Sequence, residues 1–289
     1  MTTTGGAAAA ILPLGEDSPF DRWIEFGRLV FMSSFPIVLL LVIWDQATCV
    51  RDVVCVGHPL ATPFLLPNPI TVVDRIWSDT TSGDLVLNVG LTLYRAFFGF
   101  VVAAVSGVVL GILISRFVSV HWFFDPIISV GFPMPKVAFL PIFMLWFGLY
   151  DTSKIALIIV DAIFPVLTAT IAATQGVDRQ MLWSARMLGA SDKQLLWEIV
   201  VPAAFPSIMT GLQIALPISL IIAIVTEMIM GGPGLGGAMI AASRFADSPG
   251  VFAGIIEIAI AGFCVVKGMA MLRRRLLVWH QEAEDPTTA

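Results

Sequence analysis

Six apolar stretches constrain this chain more than any other feature. They lie at about residues 28–48, 86–114, 126–149, 154–175, 206–230 and 251–272, and each is near the ~20 residues a helix needs to cross the hydrocarbon of a bilayer. Backbone groups inside lipid find no water, so stretches of this length must satisfy their own N–H and C=O groups as helices. Composition points the same way. Of 289 residues, 57% are hydrophobic and 13% charged, whereas a soluble domain keeps about a quarter of its residues charged. A net charge of −5 argues against a protein that holds nucleic acid by its phosphates. His58, His121 and His280 stand apart and no CxxC occurs, so there is no zinc pattern. The expected fold is an all-α membrane protein of about six transmembrane helices.

Lys and Arg decide the sidedness, because cytoplasmic loops retain them. With both termini inside, the inner segments hold Arg22, Arg28, Arg116, Arg179, Arg186, Lys193 and Arg273 to Arg275; the outer segments hold only Arg51, Arg75, Lys154 and Arg244. Both termini are therefore expected in the cytoplasm. Residues 1–25 read as a disordered cytoplasmic tail, 26–275 as the transmembrane domain and 276–289 as a cytoplasmic C-terminal tail. Cys49 and Cys55 fall in the outer loop after the first span. They close a disulfide if that compartment is oxidising and otherwise stay two separate thiols. Farther on, Asn68 as N-cap and Pro69 as first helical residue predict a short helix along the outer interface. Val72, Val73, Ile76 and Trp77 are expected on one face of it, with Trp77 at headgroup level.

The third stretch carries Pro133, Pro135 and Pro141. Each removes a backbone donor, so a straight helix is not expected. Broken backbone at membrane depth persists only inside protein or beside water. The segment either lines a pathway or is kinked among its neighbours for shape.

Between the fourth and fifth stretches, Asp178 to Leu188 reads as a helix with Met181, Ala185 and Leu188 along one stripe, closed by Gly189 in the left-handed cap conformation. Ser191 and Gln194 form a capping box that opens a second helix, which Pro202 is expected to stop. The result is a rigid helical hairpin on the cytosolic side. Its mixed charges, Arg179, Arg186 and Lys193 against Asp178, Asp192 and Glu198, exclude a DNA reader. It reads as a docking element for a soluble partner, against the plainer reading of an ordered loop.

Ala185, Arg186, Gly189 and Ala190, followed by Pro202, resemble the "EAA…G…P" coupling motif of permease subunits in bacterial binding-protein-dependent ABC importers. Ser184 stands where that family commonly has an acid. The likeness extends through "LLPNP" at 65–69, "LTLYRAFFGF" at 91–100, "PKVAFLPIFMLWFG" at 135–148, "ARMLGAS" at 185–191, "GPGLGG" at 232–237 and "RRRLLVWH" at 273–280. Together these are similar to the nitrate, sulfonate, taurine and pyrimidine-precursor branch, and the tail most resembles taurine permeases. The resemblance implies residence in the bacterial cytoplasmic (inner) membrane. It also implies a second permease copy, two ATP-binding subunits and an extracytoplasmic substrate-binding protein. Ser184, Ala185, Arg186, Leu188, Gly189, Ala190 and Ser191 would then contact the ATPase, and the two hairpins would drive alternating access for a small, anionic solute. The chain has no GxxxxGK[ST] phosphate loop, so no cofactor is expected on it, and ATP and Mg belong to the partner subunit.

Six ionisable residues fall at membrane depth: Arg95, Lys136, Asp161, Glu227, Glu257 and Lys267. Each must face protein, water or a partner. With Pro133 and Pro141, the residues Arg95, Lys136 and Glu227 are the pathway candidates. Arg95 and Lys136 either attract an anionic substrate or serve structure, Arg95 by pairing with Glu227 or reaching outward and Lys136 by reaching the inner interface. Glu227 fits a structural or gating pair. Gly232, Gly234 and Gly237 spell GxGxxG, but after a membrane span rather than a strand, which reads as a flexible turn near an outer gate and not a dinucleotide site. The competing function is a proton-coupled secondary transporter working through Asp161, Glu227 and Glu257. No inverted repeat is visible, and that reading leaves the hairpin without a role.

Overall fold

The computed structural model describes residues 35–36, 38–48 and 64–279. The tail at 1–25, the start of the first apolar stretch, the Cys49–Cys55 pair and residues 280–289 lie outside the described residues. Two compact units form, Met1–Pro69 and Ile70–Ala289. In the first, α1 (Val38–Thr48) is a short apolar helix whose Trp44 Nε1 donates to Pro67 O at 2.9 Å.

The second unit is helical throughout its described residues, with α2 (Pro69–Ser82) at its border. There follow α3 (Asp84–Arg116), α4 (Val118–Gly131), a 3₁₀ turn (Lys136–Phe139), α5 (Leu140–Phe147), α6 (Asp151–Gln175), α7 (Arg179–Met187), the short α8 (Asp192–Gln194), α9 (Val201–Met230), α10 (Leu235–Arg244) and α11 (Ser248–Leu276). Among the described residues, four helices are long and apolar enough to cross a membrane, or five if the bent pair around residues 132–135 counts as one span.

Small residues set the packing of the long helices. Along α3, Gly99, Gly107 and Gly111 face α6 so closely that a Cβ there would lie 2.5 Å from Ile158 Cγ2, 2.9 Å from Val166 Cβ and 2.6 Å from Thr170 Cβ. The pairs advance together along both chains, so α3 and α6 run parallel. Removing the side chain lets two backbones approach, which is how helices associate in lipid, where burial of apolar surface gives no drive. Gly211 does the same for α9, its absent Cβ only 2.4 Å from that of Ala169. The core lies where α3, α6 and α9 meet, at Leu157, Ile158, Ala162, Val166, Ala215 and Ala223. Large side chains such as Trp122, Leu145 and Phe263 face outward, an apolar exterior suited to lipid or to another subunit.

The third apolar stretch is broken as its prolines predict. Helix α4 meets the Lys136–Phe147 arm at 94°, with Pro133 and Pro135 in the break and Pro141 in the first turn of α5, where a missing donor is harmless. Helix α2 begins at Pro69 as expected, but its apolar residues do not share one face. Val72 is buried and Ile76 lines an apolar cavity, while Val73 and Trp77 are exposed. The helix is fixed in this rotation by Arg75, which bonds Asp79 on its own helix at 3.0 Å and the α11 N-cap Asp247 at 2.5 Å.

Pro202 does not stop the second hairpin helix. A π-turn, Leu195–Val200, joins α8 to α9, with Val201 N–H bonded to Leu196 O. The wider turn shifts the hydrogen-bond register just where Pro202 would have clashed, so the hairpin runs on into the long helix.

Candidate functional site

Two regions at opposite ends of the bundle collect the residues with chemical character. At one end Glu227, in the last turn of α9, is wholly buried. Arg95 Nη1 reaches its Oε1 at 2.5 Å, and Thr92 Oγ1 donates to the same carboxylate at 2.8 Å. Gly236 N–H donates to Oε2 at 3.1 Å. Arg95, itself only 2% exposed, also bonds Asp151 Oδ1 and Pro233 O, each at 2.8 Å. Lys154 Nζ donates to Gly231 O at 3.0 Å. Leu235 N–H donates to Thr92 Oγ1 and Gly234 N–H to Asn88 Oδ1, both at 2.9 Å. Two cations and two carboxylates thus tie α3, α6 and α9 to the glycine-rich turn.

That turn is tightly packed. A Cβ on Gly234 would sit 2.4 Å from Glu227 Cδ and one on Gly236 2.3 Å from Ile224 O, while Gly234 holds φ +134°. Gly234 and Gly236 are there because backbone wraps a carboxylate. Arg95 takes the pairing with Glu227 that the sequence reading weighed against a substrate-facing role, and its charge is matched on the spot. Asn88, Thr92, Asp151 and Lys154 were not singled out from sequence. Asn88, Thr92 and Arg95 do fall at helical spacing on one face of an apolar helix, and that signal could have found the first two.

Lys136, at the break after α4, is nearly buried. Its Nζ donates to Phe132 O at 2.9 Å, lies 3.2 Å from Asp161 Oδ1 and sits 4.7 Å from the Phe164 ring centre. Its inward reach is to Asp161, not to the inner interface. Lys267 lies over the Phe263 ring. Glu257 enters an otherwise apolar cavity of about 590 Å³, with Oε1 unbonded among the described residues.

At the other end stands the hairpin. Asp178 caps α7, accepting from Gln180 N–H at 2.8 Å. The helix closes with Gly189 at φ +86°, Gly189 N–H on Arg186 O at 3.0 Å and Ala190 N–H on Ala185 O at 3.1 Å. These are the paired bonds of a Schellman cap. The Ser191–Gln194 capping box has both of its bonds, Ser191 N–H to Gln194 Oε1 at 2.9 Å and Gln194 N–H to Ser191 Oγ at 3.4 Å. The expected stripe of Met181, Ala185 and Leu188 does not hold. Ala185 turns inward toward the bundle, while Met181 is exposed and Met187 and Leu188 are each 89% exposed at the tip. Leu188 is the residue just before the left-handed Gly189, so the helix has ended and its side chain leaves the stripe. Ser184 and Arg186 are also exposed. The outcome is a stiff knob with an apolar tip, joined through the π-turn to α9.

Comparison with known proteins agrees with this architecture. Residues 103–278 match the family described as binding-protein-dependent transport system inner membrane component. The chain is 32% identical over 268 residues to the taurine transport system permease protein TauC of Escherichia coli (strain K12), covering 91% of this chain and 94% of that one. It is also 32% identical to SsuC of Bacillus subtilis (strain 168), named as an aliphatic sulfonates transport permease, over 79% of this chain and 83% of the relative. Among solved structures, an amino acid ABC transporter aligns with a TM-score of 0.54 at 18% identity, over 68% of this chain and 95% of that one. The MetNI methionine ABC transporter in an inward-facing conformation aligns with a TM-score of 0.51 at 17% identity, over 63% of this chain and 94% of that one. These relatives are permeases rather than enzymes, and they leave the proton-coupled alternative without support. The chain belongs to the family of binding-protein-dependent transport system inner membrane components, as the permease subunit of an ABC importer working with ATP-binding subunits and a substrate-binding protein.

Proposed function

We propose that this permease forms, as two copies with two ATP-binding subunits, the translocation pathway for taurine or a related small sulfonate, and that the α7–α8 hairpin is the part the ATPase moves. ATP and Mg sit on the partner subunit. The observation that carries the mechanism is the continuity of the hairpin with α9: a capped knob with Met187 and Leu188 exposed at its tip leads through the π-turn into a core helix. A push on the knob reaches α9 without crossing a flexible linker. The last turn of α9 carries Glu227, so motion at one end is delivered to the polar cluster at the other, and the pathway opens alternately to each side.

The sidedness follows the basic residues. Arg116, Arg179, Arg186, Lys193 and Arg273 to Arg275 belong to the hairpin end, Arg75, Lys154 and Arg244 to the other. Retention of Lys and Arg inside supports a cytosolic hairpin and cytoplasmic termini. The substrate reading draws on what TauC and SsuC are named for; nitrate has no such support. In proteoliposomes containing permease, ATPase and binding protein, ATP-dependent uptake of labelled taurine should be competed by short alkanesulfonates and absent without the ATPase. Uptake that persists without the ATPase would contradict the mechanism, and a complex that transports another solute but not sulfonates would contradict the substrate assignment.

A further inference from the structure

We propose that a cavity at the root of the hairpin, lined by Arg116, Arg179 and Arg186, binds a phosphate-bearing anion at the level of the lipid headgroups. The cavity measures about 350 Å³ and is walled by the end of α3, the end of α6 at Thr174, and α7 with Trp183. Three arginines from two separate elements, α3 and α7, line it. Among the described residues one carboxylate answers them: Asp192 Oδ1 lies 3.2 Å from Arg116 Nη2 and 3.9 Å from Arg186 Nη2. Arg179 has no carboxylate partner among the described residues, and Asp178 beside it is bonded to Gln180 N–H. No other ionisable side chain lines the cavity.

The fold does not need this arrangement. One cation at the C-terminus of α3 suits the helix dipole, and Asp192 answers Arg116 and Arg186, which leaves the charge of Arg179 available to a further anion. Guanidinium forks match phosphate oxygens two at a time, and a polar wall set against Leu182, Leu195 and Leu196 suits a group whose other end is apolar.

Depth favours a membrane ligand. Helix α3 has 33 residues, so at about 1.5 Å per residue it outruns the ~30 Å hydrocarbon layer, and its last residue, Arg116, lies among headgroups. Thr174, near the end of the 25-residue α6, reaches a similar level. Trp183 is exposed beside the cavity, and Trp is the residue that favours this layer. Anionic phospholipid and free phosphate share the required chemistry. This inference does not depend on the substrate.

The test is native mass spectrometry of the purified permease, alone and in its complete complex. It would be titrated with dioleoyl phosphatidylglycerol, dioleoyl phosphatidylcholine or inorganic phosphate. The expected result is one retained phosphatidylglycerol per chain, bound about tenfold more tightly than phosphatidylcholine. Binding should fall at least tenfold in Arg116→Gln/Arg179→Gln and stay unchanged in Arg244→Gln, at the opposite end. Should the double variant fail to fold, Arg179→Gln alone, which loses no ion pair, is read the same way. Displacement of the lipid by millimolar phosphate would identify free phosphate as a ligand; no displacement would identify the lipid headgroup. Equal binding of both lipids with no effect of the substitutions or of phosphate would overturn the proposal. So would loss of the lipid when the ATP-binding subunit is added, which would assign the cavity to an acidic segment of that partner.

Discussion

The two ends of this bundle use their polar residues in opposite ways. Around Glu227 the charges come from three helices, all buried but the half-exposed Asp151, and they are matched and bonded to backbone of the glycine-rich turn. At the hairpin the charges are exposed, the bonds are caps within one short segment apart from the Arg116–Asp192 pair to α3, and the tip is apolar and uncovered. The first arrangement resists separation of its parts. The second keeps its own shape while leaving its surface free for something else. A lever needs both: a stiff knob where force enters, and a polar closure where movement is resisted.

The largest effect that would break this contrast is at the buried end. Glu227→Ala removes the buried partner of Arg95, leaving it only the half-exposed Asp151, and should lower stability by about 3 kcal/mol, seen as a large drop in thermal unfolding temperature in detergent. The double variant Glu227→Ala/Arg95→Met should recover part of that loss. A single substitution with an unchanged melting curve would mean that the cluster does not hold the far end together.

Gly189→Val should do the reverse. The left-handed backbone at φ +86° carries a local strain of about 1–2 kcal/mol for a residue with a Cβ, but nothing lies within 4 Å of the site, so global stability should barely move. Transport should fall at least tenfold while ATP hydrolysis continues, because the tip is deformed. Full coupled uptake would show that tip geometry is unimportant. Smaller still is Ser191→Ala. It removes one side of the capping box, about 1 kcal/mol of local helix stability, and should reduce the coupling ratio of solute moved to ATP hydrolysed by a few-fold without a change in melting temperature.

The local features of the molecule were readable from the sequence. The long apolar helices at α3, α6, α9 and α11, the proline break at 132–135, the Gly189 cap and the Ser191–Gln194 box depend on neighbours within a few positions, and the structure has them. What could not be read locally depends on distant partners. Glu227 is held by Thr92 and Arg95, more than a hundred positions away, and the glycines at 234 and 236 look like a loose turn until the carboxylate they enclose is placed. The rotation of α2 is set by Asp247, which no periodicity on α2 can reveal. Pro202 was misread for a different reason: a proline stops an α-helix, but a π-turn just before it removes the conflict. The glycine stripe at 99, 107 and 111 was legible in principle, as small residues repeating on one face of an apolar helix.

Site-specific cross-linking tests the central claim most directly. With the three native cysteines replaced by serine, a single cysteine would be placed at Leu188→Cys on the hairpin tip or at Val86→Cys, an exposed position near the other end. Each would be probed in the assembled complex against cysteines on the ATP-binding subunit. The account predicts a cross-link from position 188, sensitive to ATP, and none from position 86. A cross-link from 86, or none from 188 in a complex that hydrolyses ATP, would contradict it.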